Sequence, residues 1–472
     1  MAVATAAKGA PVKAKKKKKR TAYEPPSPYT FRGAVKEGDL FTRLSILVWG
    51  LGNMVRGQII KGIAFLAVEA VFIAYFVSNG FAQIAKLGNL YGESQKKIKN
   101  DEGFWEYIEG DHSVTILLYG VAGIFAVLVF IWFWRIAVSS SYRAQKAAAA
   151  SKTGKAPGFW AEFKSLFDER IPITLMSLPV LGVVLFTVLP LVFMISMAFT
   201  EYDSNHPDQF NWAGVNNFKA VLANNDGIVN FHLFMSVLLW TLVWAFFATF
   251  LNYFLGMFMA MIINRKSIKL KGLWRGIFSM SIAVPQFVSL LVMHTMLQPT
   301  GIVNRLLMEN GWIDSPLPFF TDTNWARVTV IVINLWVGIP FTIMQVTGIL
   351  QNIPAELYEA AKLDGANWWQ QFRSITMPYM IFVTTPYLIT TFTGNVNNFN
   401  VIYLLSSGDP TPVGSSAGKT DLLITWLYKL TVDKGNYNLG AVIGILTFIV
   451  LAVISLITYR SSGSYKNEGG YR

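Results

Sequence analysis

The chain has 472 residues, of which 53% are hydrophobic and only 14% charged, and its mean hydropathy is +0.41. These proportions exclude an ordinary water-soluble domain with one buried core. The formal charge of +13 gathers in Lys13 to Arg20 and in short segments between apolar runs, where Lys and Arg set membrane orientation and approach anionic headgroups. No nucleic-acid binding is expected from that pattern.

Taken in chain order, residues 1–38 hold the basic run and then Pro25, Pro26 and Pro28 without an apolar h-region. They are expected to form a disordered basic cytoplasmic tail rather than a cleavable signal peptide. Beyond it, apolar runs of the length needed to cross about 30 Å of hydrocarbon predict eight helical spans, near 59–78, 114–134, 175–198, 233–263, 276–297, 328–350, 379–400 and 438–459. The fold class expected is therefore an all-α integral membrane protein. The fourth run is too long for one perpendicular crossing, which predicts tilt or a helix projecting past the bilayer. An Ala-rich stretch, 144–158, reads as a linker, so residues 39–172 form two N-terminal spans plus linker and residues 173–472 a six-span body.

Basic residues decide the orientation. The tail, the 135–170 segment (Arg135, Arg143, Lys146, Lys152, Lys155, Lys164, Arg170), the 265–275 loop (Arg265, Lys266, Lys269, Lys271, Arg275), and Arg460 with Lys466 all fall on one side of an eight-span chain. The opposite loops are acidic or mixed, with Lys96, Lys97 and Lys99 as the main exception. Both termini are then cytoplasmic, and residues 351–378 form a cytoplasmic loop between the sixth and seventh spans.

Several chemistries are missing. With no cysteine, disulfides, thiolate metal sites and a cysteine nucleophile are excluded. "GSSAGKT" (414–420) imitates a phosphate-binding loop but has Val413 where the first glycine should stand; it is expected to be a flexible polar loop, and no ATP hydrolysis by this chain is expected. His112, His206, His232 and His294 show no metal-ligand spacing; His294 is expected to make an interhelical hydrogen bond. A secondary transporter would show intramembrane acids or bases. Glu69 is the clearest candidate and reads as a packing or interhelical contact. A membrane-bound enzyme acting on glycan or lipid would need paired acids, bases or a metal site. These two classes stay open as alternative functions for the chain.

The polar stretch 355–378 reads as helix, tight turn, helix. Pro354 suits a first helical turn, Ala355 to Asp364 are mostly good helix formers, Gly365 suits a left-handed stop, and Asn367 can cap a second short helix through Phe372. Leu357, Ala360, Ala361 and Asp364 share one face. Small residues at its centre and three acids (Glu356, Glu359, Asp364) point to a protein partner rather than anionic lipid.

These residues resemble a known family. Glu359, Ala360, Ala361, Gly365, Ile375 and Pro378 match the EAA signature, E-A-A-x3-G-x9-I-x-L-P, of binding-protein-dependent ABC importer permeases; Met377 replaces the usual Leu, a volume-conserving change. "WVGIPF" (336–341), "TGNVNNFNVIYLLSSGDP" (393–410) and "GKTDLLITWLYKLT" (418–431) look like the larger permease subunit of maltose and maltodextrin importers, and the resemblance runs through roughly 173–472. The long external domain of that subunit is missing here, since the loop between the third and fourth spans covers only about 199–232.

The resemblance implies a type I importer fold with a six-helix core, in a bacterial cell membrane, working with a second permease subunit, an ATP-binding-cassette ATPase dimer and an extracytoplasmic solute-binding protein. ATP and Mg would be bound by the ATPase, leaving no cofactor or metal in this chain. Glu359 would pair with a basic residue of the ATPase, Ala360 and Ala361 would pack in its cleft, and Gly365 would permit the turn. Asn395, Asn397, Asn398 and Asn400 crowd the seventh span at a depth where polar groups are costly. By resemblance Asn395 and Asn398, with Gly338 and Thr391, would line a path for a sugar, with a malto-oligosaccharide as the expected substrate. Gly394 stands where maltose-type relatives carry an aromatic residue, so no stacking ring is expected there.

Overall fold

The computed structural model describes residues 29–93, 96–99, 104–108, 110–168, 171–223, 227–265 and 267–461. The basic tail up to residue 28, Arg170, Lys266 and Lys466 lie outside the described residues. The chain divides into two compact units, Met1–Ala85 with Tyr119–Leu189 and Lys86–Leu118 with Pro190–Arg472. One of the junctions between these units falls inside the third span.

In the first unit the expected disorder through residue 38 gives way to a helix, Phe31–Glu37, after an extended Thr30. The Thr30 hydroxyl accepts from Gly33 N at 3.1 Å, which satisfies one of the orphan donors of the first turn. At the other end Glu37 Oε2 accepts from the Tyr142 hydroxyl at 2.5 Å and from Lys146 Nζ at 3.2 Å. The first span, Ile59–Lys86, and the second, Ser113–Ala150, are helices of the expected kind. The second continues as helix into the first half of the expected linker, as far as Ala150, because Ala and Lys are strong helix formers. Glu69 is buried and its Oε2 accepts from Trp49 N at 2.8 Å, the packing role expected of it. Arg56 reaches both Asp39 oxygens at 2.5 and 2.6 Å and donates to Gly52 O at 2.7 Å.

In the second unit, helices long and apolar enough to cross a membrane are Phe231–Asn264, Thr323–Leu350, Trp368–Leu405 and Tyr437–Arg460, while Thr174–Met197 is shared with the first unit. The fifth expected span is not straight. Lys271–Ala283 and Gln286–Met296 meet at 82°, because the ring of Pro285 disfavours helical backbone at the residue before it and Val284 is extended. The count is seven spans among the described residues, or eight with this broken pair. Three apolar clusters hold the unit together: Trp240, Trp244, Leu290, Val330 and Ile402; Phe234, Trp426, Leu430 and Val442; and Tyr253, Met257, Ile343 and Met380.

Two loops differ from expectation. Between the first two spans, β1 (Lys96–Lys99) and β2 (Trp105–Ile108) form an antiparallel hairpin, a small exception to an all-α fold. Here Lys97 Nζ lies 4.8 Å from the Trp105 ring centre and 5.3 Å from that of Tyr107, so aromatic faces hold the charges that departed from the orientation pattern. The 414–420 segment is not a flexible loop. Ser416 Oγ donates to Ile228 O at 2.7 Å and accepts from Trp426 Nε1 at 3.0 Å, and Thr420 Oγ1 donates to Asp409 O at 2.8 Å. The side chains that looked like solvated polarity are buried hydrogen-bond partners.

Candidate functional site: a coupling loop and a polar helix break

The loop after the sixth span folds as its residues dictate. Helix Ala355–Leu363 starts after Pro354 and ends at Asp364. Gly365 has φ +76°, its N–H donates to Lys362 O at 3.0 Å, and Ala366 N donates to Ala361 O at 2.8 Å. That pair of bonds is a Schellman stop, which needs a left-handed residue that glycine supplies without Cβ strain. Asn367 then caps Trp368–Gln371 reciprocally with Gln370, at 2.9 and 2.8 Å. Beyond it a π-helical turn, Phe372–Thr376, carries the chain unbroken into Met377–Val396. The second short helix is therefore the leading end of the seventh span rather than a separate element.

Glu359 and Ala360 are exposed, and Ala361 is half-buried. On the neighbouring face the Tyr358 hydroxyl and Thr376 Oγ1 are 2.8 Å apart, which ties the short helix to the base of the seventh span. Ile375 is half-buried, Pro378 exposed and Met377 half-buried; Ile353, at the entry to the loop, is buried. The end of the fourth span lies on the same side, since the Arg265 guanidinium sits 5.5 Å from the Trp368 ring centre and Lys271 Nζ donates to Asn264 O at 3.0 Å.

The other end of the seventh span is where the sequence reading needs revising. Helix Met377–Val396 stops at Asn397, and Asn398 starts Phe399–Leu405 by accepting from Val401 N at 3.3 Å. The four asparagines thus sit at a break between two helices, and part of their polarity serves capping. Asn400 is exposed, and exposed Asn397 Nδ2 donates to Thr393 O at 3.4 Å. Asn395 reaches across to the fourth span: its Nδ2 donates to Thr249 Oγ1 at 2.9 Å and its carbonyl accepts from Trp244 Nε1 at 3.1 Å. Asn398 Nδ2 completes the chain to Asn395 Oδ1 at 3.4 Å. Thr391 is half-buried one turn earlier.

Gly338 packs rather than faces open space. A Cβ there would lie 1.9 Å from Asn252 Nδ2, so the glycine is what lets the fourth and sixth spans approach. The fourth span holds a π-helical turn, Phe247–Leu251, with Thr249 inside it and Asn252 just beyond. Such turns widen a helix and recur at functional sites. Asn252 Oδ1 is buried without a hydrogen-bond partner. Trp244, Thr249 and Asn252 escaped the sequence reading because they lie in a long apolar run; only an interrupted apolar pattern could have flagged them. His294, by contrast, behaves as expected: its Nδ1 donates to Leu405 O at 2.7 Å and its Nε2 accepts from Gln298 Nε2 at 2.9 Å.

Beyond the break, Asp421 is fully buried and bonded to Lys429 Nζ at 2.7 Å, Gly418 N at 2.7 Å and Thr425 Oγ1 at 2.9 Å. Burial pushes this carboxyl above its ordinary value, with the Lys429 ammonium opposing. No group of three or more acids and histidines is arranged to hold a metal among the described residues.

Residues 252–462 match the family model described as binding-protein-dependent transport system inner membrane component. The chain is 34% identical to the galactooligosaccharides transport system permease protein GanP of Bacillus subtilis (strain 168), over 89% of this chain and 97% of that protein. It is 32% identical to the maltodextrin transport system permease protein MdxF of the same strain, over 89% and 95%. The maltose/maltodextrin transport system permease protein MalF of Vibrio vulnificus (strain YJ016) is 33% identical over 52% of this chain and 47% of its own length. Among solved structures, a bacterial ABC transporter involved in the import of the acidic polysaccharide alginate superimposes with TM-score 0.50 at 21% identity, covering 64% of this chain and 97% of that one; the likeness is one of fold. A transmembrane, mostly helical architecture, the EAA loop geometry and identity extending over nearly the whole of two permeases together place this chain in the binding-protein-dependent ABC importer permease family.

Proposed function

We propose that this chain is one of two permease subunits of an ATP-driven oligosaccharide importer in a bacterial plasma membrane, with both termini cytoplasmic. An extracytoplasmic solute-binding protein delivers the sugar, and a cytoplasmic ATPase dimer, which binds ATP and Mg, drives transport. The observation that carries this reading is a mechanical one. The exposed Glu359 and Ala360, with half-buried Ala361, sit on a short helix tied by Tyr358 and Thr376 to the base of the seventh span, and that span runs as helix from Trp368 to the Asn395–Asn398 break. A force applied at the cytoplasmic loop has a stiff path to the polar break.

In this mechanism Glu359 pairs with a basic residue of the ATPase, Ala360 and Ala361 pack in its cleft, Gly365 holds the turn, and Ile375 and Pro378 lie where the π-helical turn joins the body of the seventh span. Closure of the ATPase dimer rocks the spans from inward-open to outward-open. Asn395 and Asn398, near Thr391, present amides to sugar hydroxyls, which suits a neutral solute better than fixed charges do. The names of the relatives support an oligosaccharide of the maltodextrin or galactooligosaccharide type. Uptake of labelled maltotriose and galactotriose into vesicles holding the whole transporter tests this. ATP-dependent uptake of either sugar is the expected result; uptake that survives removal of the ATPase, or that an uncoupler alone abolishes, would replace it with a secondary transporter.

A further inference from the structure

The helix that follows the polar break, Phe399–Leu405, has two unlike faces. Val401, Ile402 and Leu405 are fully buried in the apolar core. Phe399 and Tyr403 are half-buried on the other side, with Asn400 and Ser407 exposed beside them. Phe399 and Tyr403 stack with centres 4.7 Å apart and planes 22° from parallel. Tyr428, half-buried near the end of Leu423–Tyr428, closes the group edge-on, 4.9 Å from Phe399 and 5.2 Å from Tyr403.

This face is unlike the lipid-ready surface of the same chain. The eighth span exposes Phe448, Ile449, Val453, Leu456 and Ile457, all hydrocarbon. The face on Phe399–Leu405 instead combines three rings with an amide and hydroxyls; the helix itself holds no charged residue, and the one charge that acts on Tyr428 is that of Asp433. Phe399 directly follows Asn398, whose amide is already bonded to Asn395. Rings beside amides and hydroxyls match a pyranose, which offers C–H faces to stack and hydroxyls to pair.

We propose that Phe399, Tyr403 and Tyr428 form a stacking subsite for a pyranose ring of the transported sugar, one helical turn beyond the asparagine pair. It supplies the aromatic surface that Gly394 does not. The inference rests on the oligosaccharide reading above.

The test uses the whole transporter arrested with ATP and vanadate, and measures how tightly it retains labelled maltotriose or galactotriose, whichever the wild type takes up. Tyr403→Leu and Phe399→Leu remove the ring but keep apolar bulk, and Tyr403→Phe keeps the ring. Loss of a stacking partner predicts retention weakened about threefold to tenfold in the Leu variants, with Tyr403→Phe close to wild type. Unaltered retention in both Leu variants would overturn the subsite while leaving the oligosaccharide reading intact. If those variants instead fail to co-purify with the second permease subunit, the face is a subunit interface and the subsite is likewise overturned. A wild-type complex that takes up neither trisaccharide would bring down both readings.

Discussion

At Gly338 a Cβ would fall 1.9 Å from Asn252 Nδ2, whereas at Gly394 it would meet nothing within 4 Å. Gly338→Ala is therefore expected to cost about 1–3 kcal/mol as an overpacking change, read as a lowered melting temperature in detergent, and Gly394→Ala to cost far less. Asn252→Ala in the Gly338→Ala background should recover most of the loss, since the added methyl then has room; equal melting of single and double variants would show that the two residues do not share this contact. Asp421 gives a pH dependence. Its pKa is raised in the folded chain, chiefly by burial. The stability linked to this group is thus fully present below the unfolded value of 3.8 and declines as pH rises above it. Lys429 opposes that decline through the 2.7 Å contact. Removing one partner of a buried pair typically costs about 3–5 kcal/mol, so Lys429→Met should melt earlier near neutral pH and regain stability on acidification. Asp421→Asn in the Lys429→Met background should remove this dependence, and a Lys429→Met melt that is flat with pH would contradict it.

The loop between the sixth and seventh spans was legible as an element because each of its devices is local. A proline start, a glycine stop and an Asn367–Gln370 cap depend on residues within one or two turns of each other. The bend at Val284–Pro285 and the helix break at Asn397–Asn398 were less legible. A hydropathy run counts apolar residues without regard to backbone direction, so a kinked and a straight segment score alike. The ordered 414–420 segment was hidden for another reason: it is held by long-range partners such as Ile228 and Trp426, which no local pattern displays. At this scale the prediction concerns coupling. Glu359→Lys should abolish ATP-driven uptake while the binding protein still takes up sugar. Gly365→Val should weaken uptake by a different route, because φ +76° costs a β-branched residue roughly 1–2 kcal/mol and misplaces the helix that carries Glu359. Undiminished uptake by both variants would remove the coupling role from this loop.

Across the whole molecule, orientation rests on an alternation that every loop must obey. The 351–367 segment and the 406–422 segment flank the seventh span, so they face opposite sides of any membrane that span crosses. The interior of the second unit agrees with this: the basic end of the fourth span meets Trp368 at one end of the seventh span, while Trp240, at the start of the fourth, donates to Thr420 O at 3.1 Å beyond the other. The chain has no cysteine, so single cysteines can report the side of each loop without background. Lys362 and Val413 are both exposed and neither takes part in the core. In intact cells a membrane-impermeant maleimide should label Val413→Cys and spare Lys362→Cys, and permeabilised cells should give both. The reverse pattern would invert the orientation and move Glu359 away from any cytoplasmic ATPase. Labelling of both in intact cells would mean that the stretch between them does not cross the membrane once. Because this readout needs neither substrate nor partner, it separates the topology from the transport reading that is built upon it.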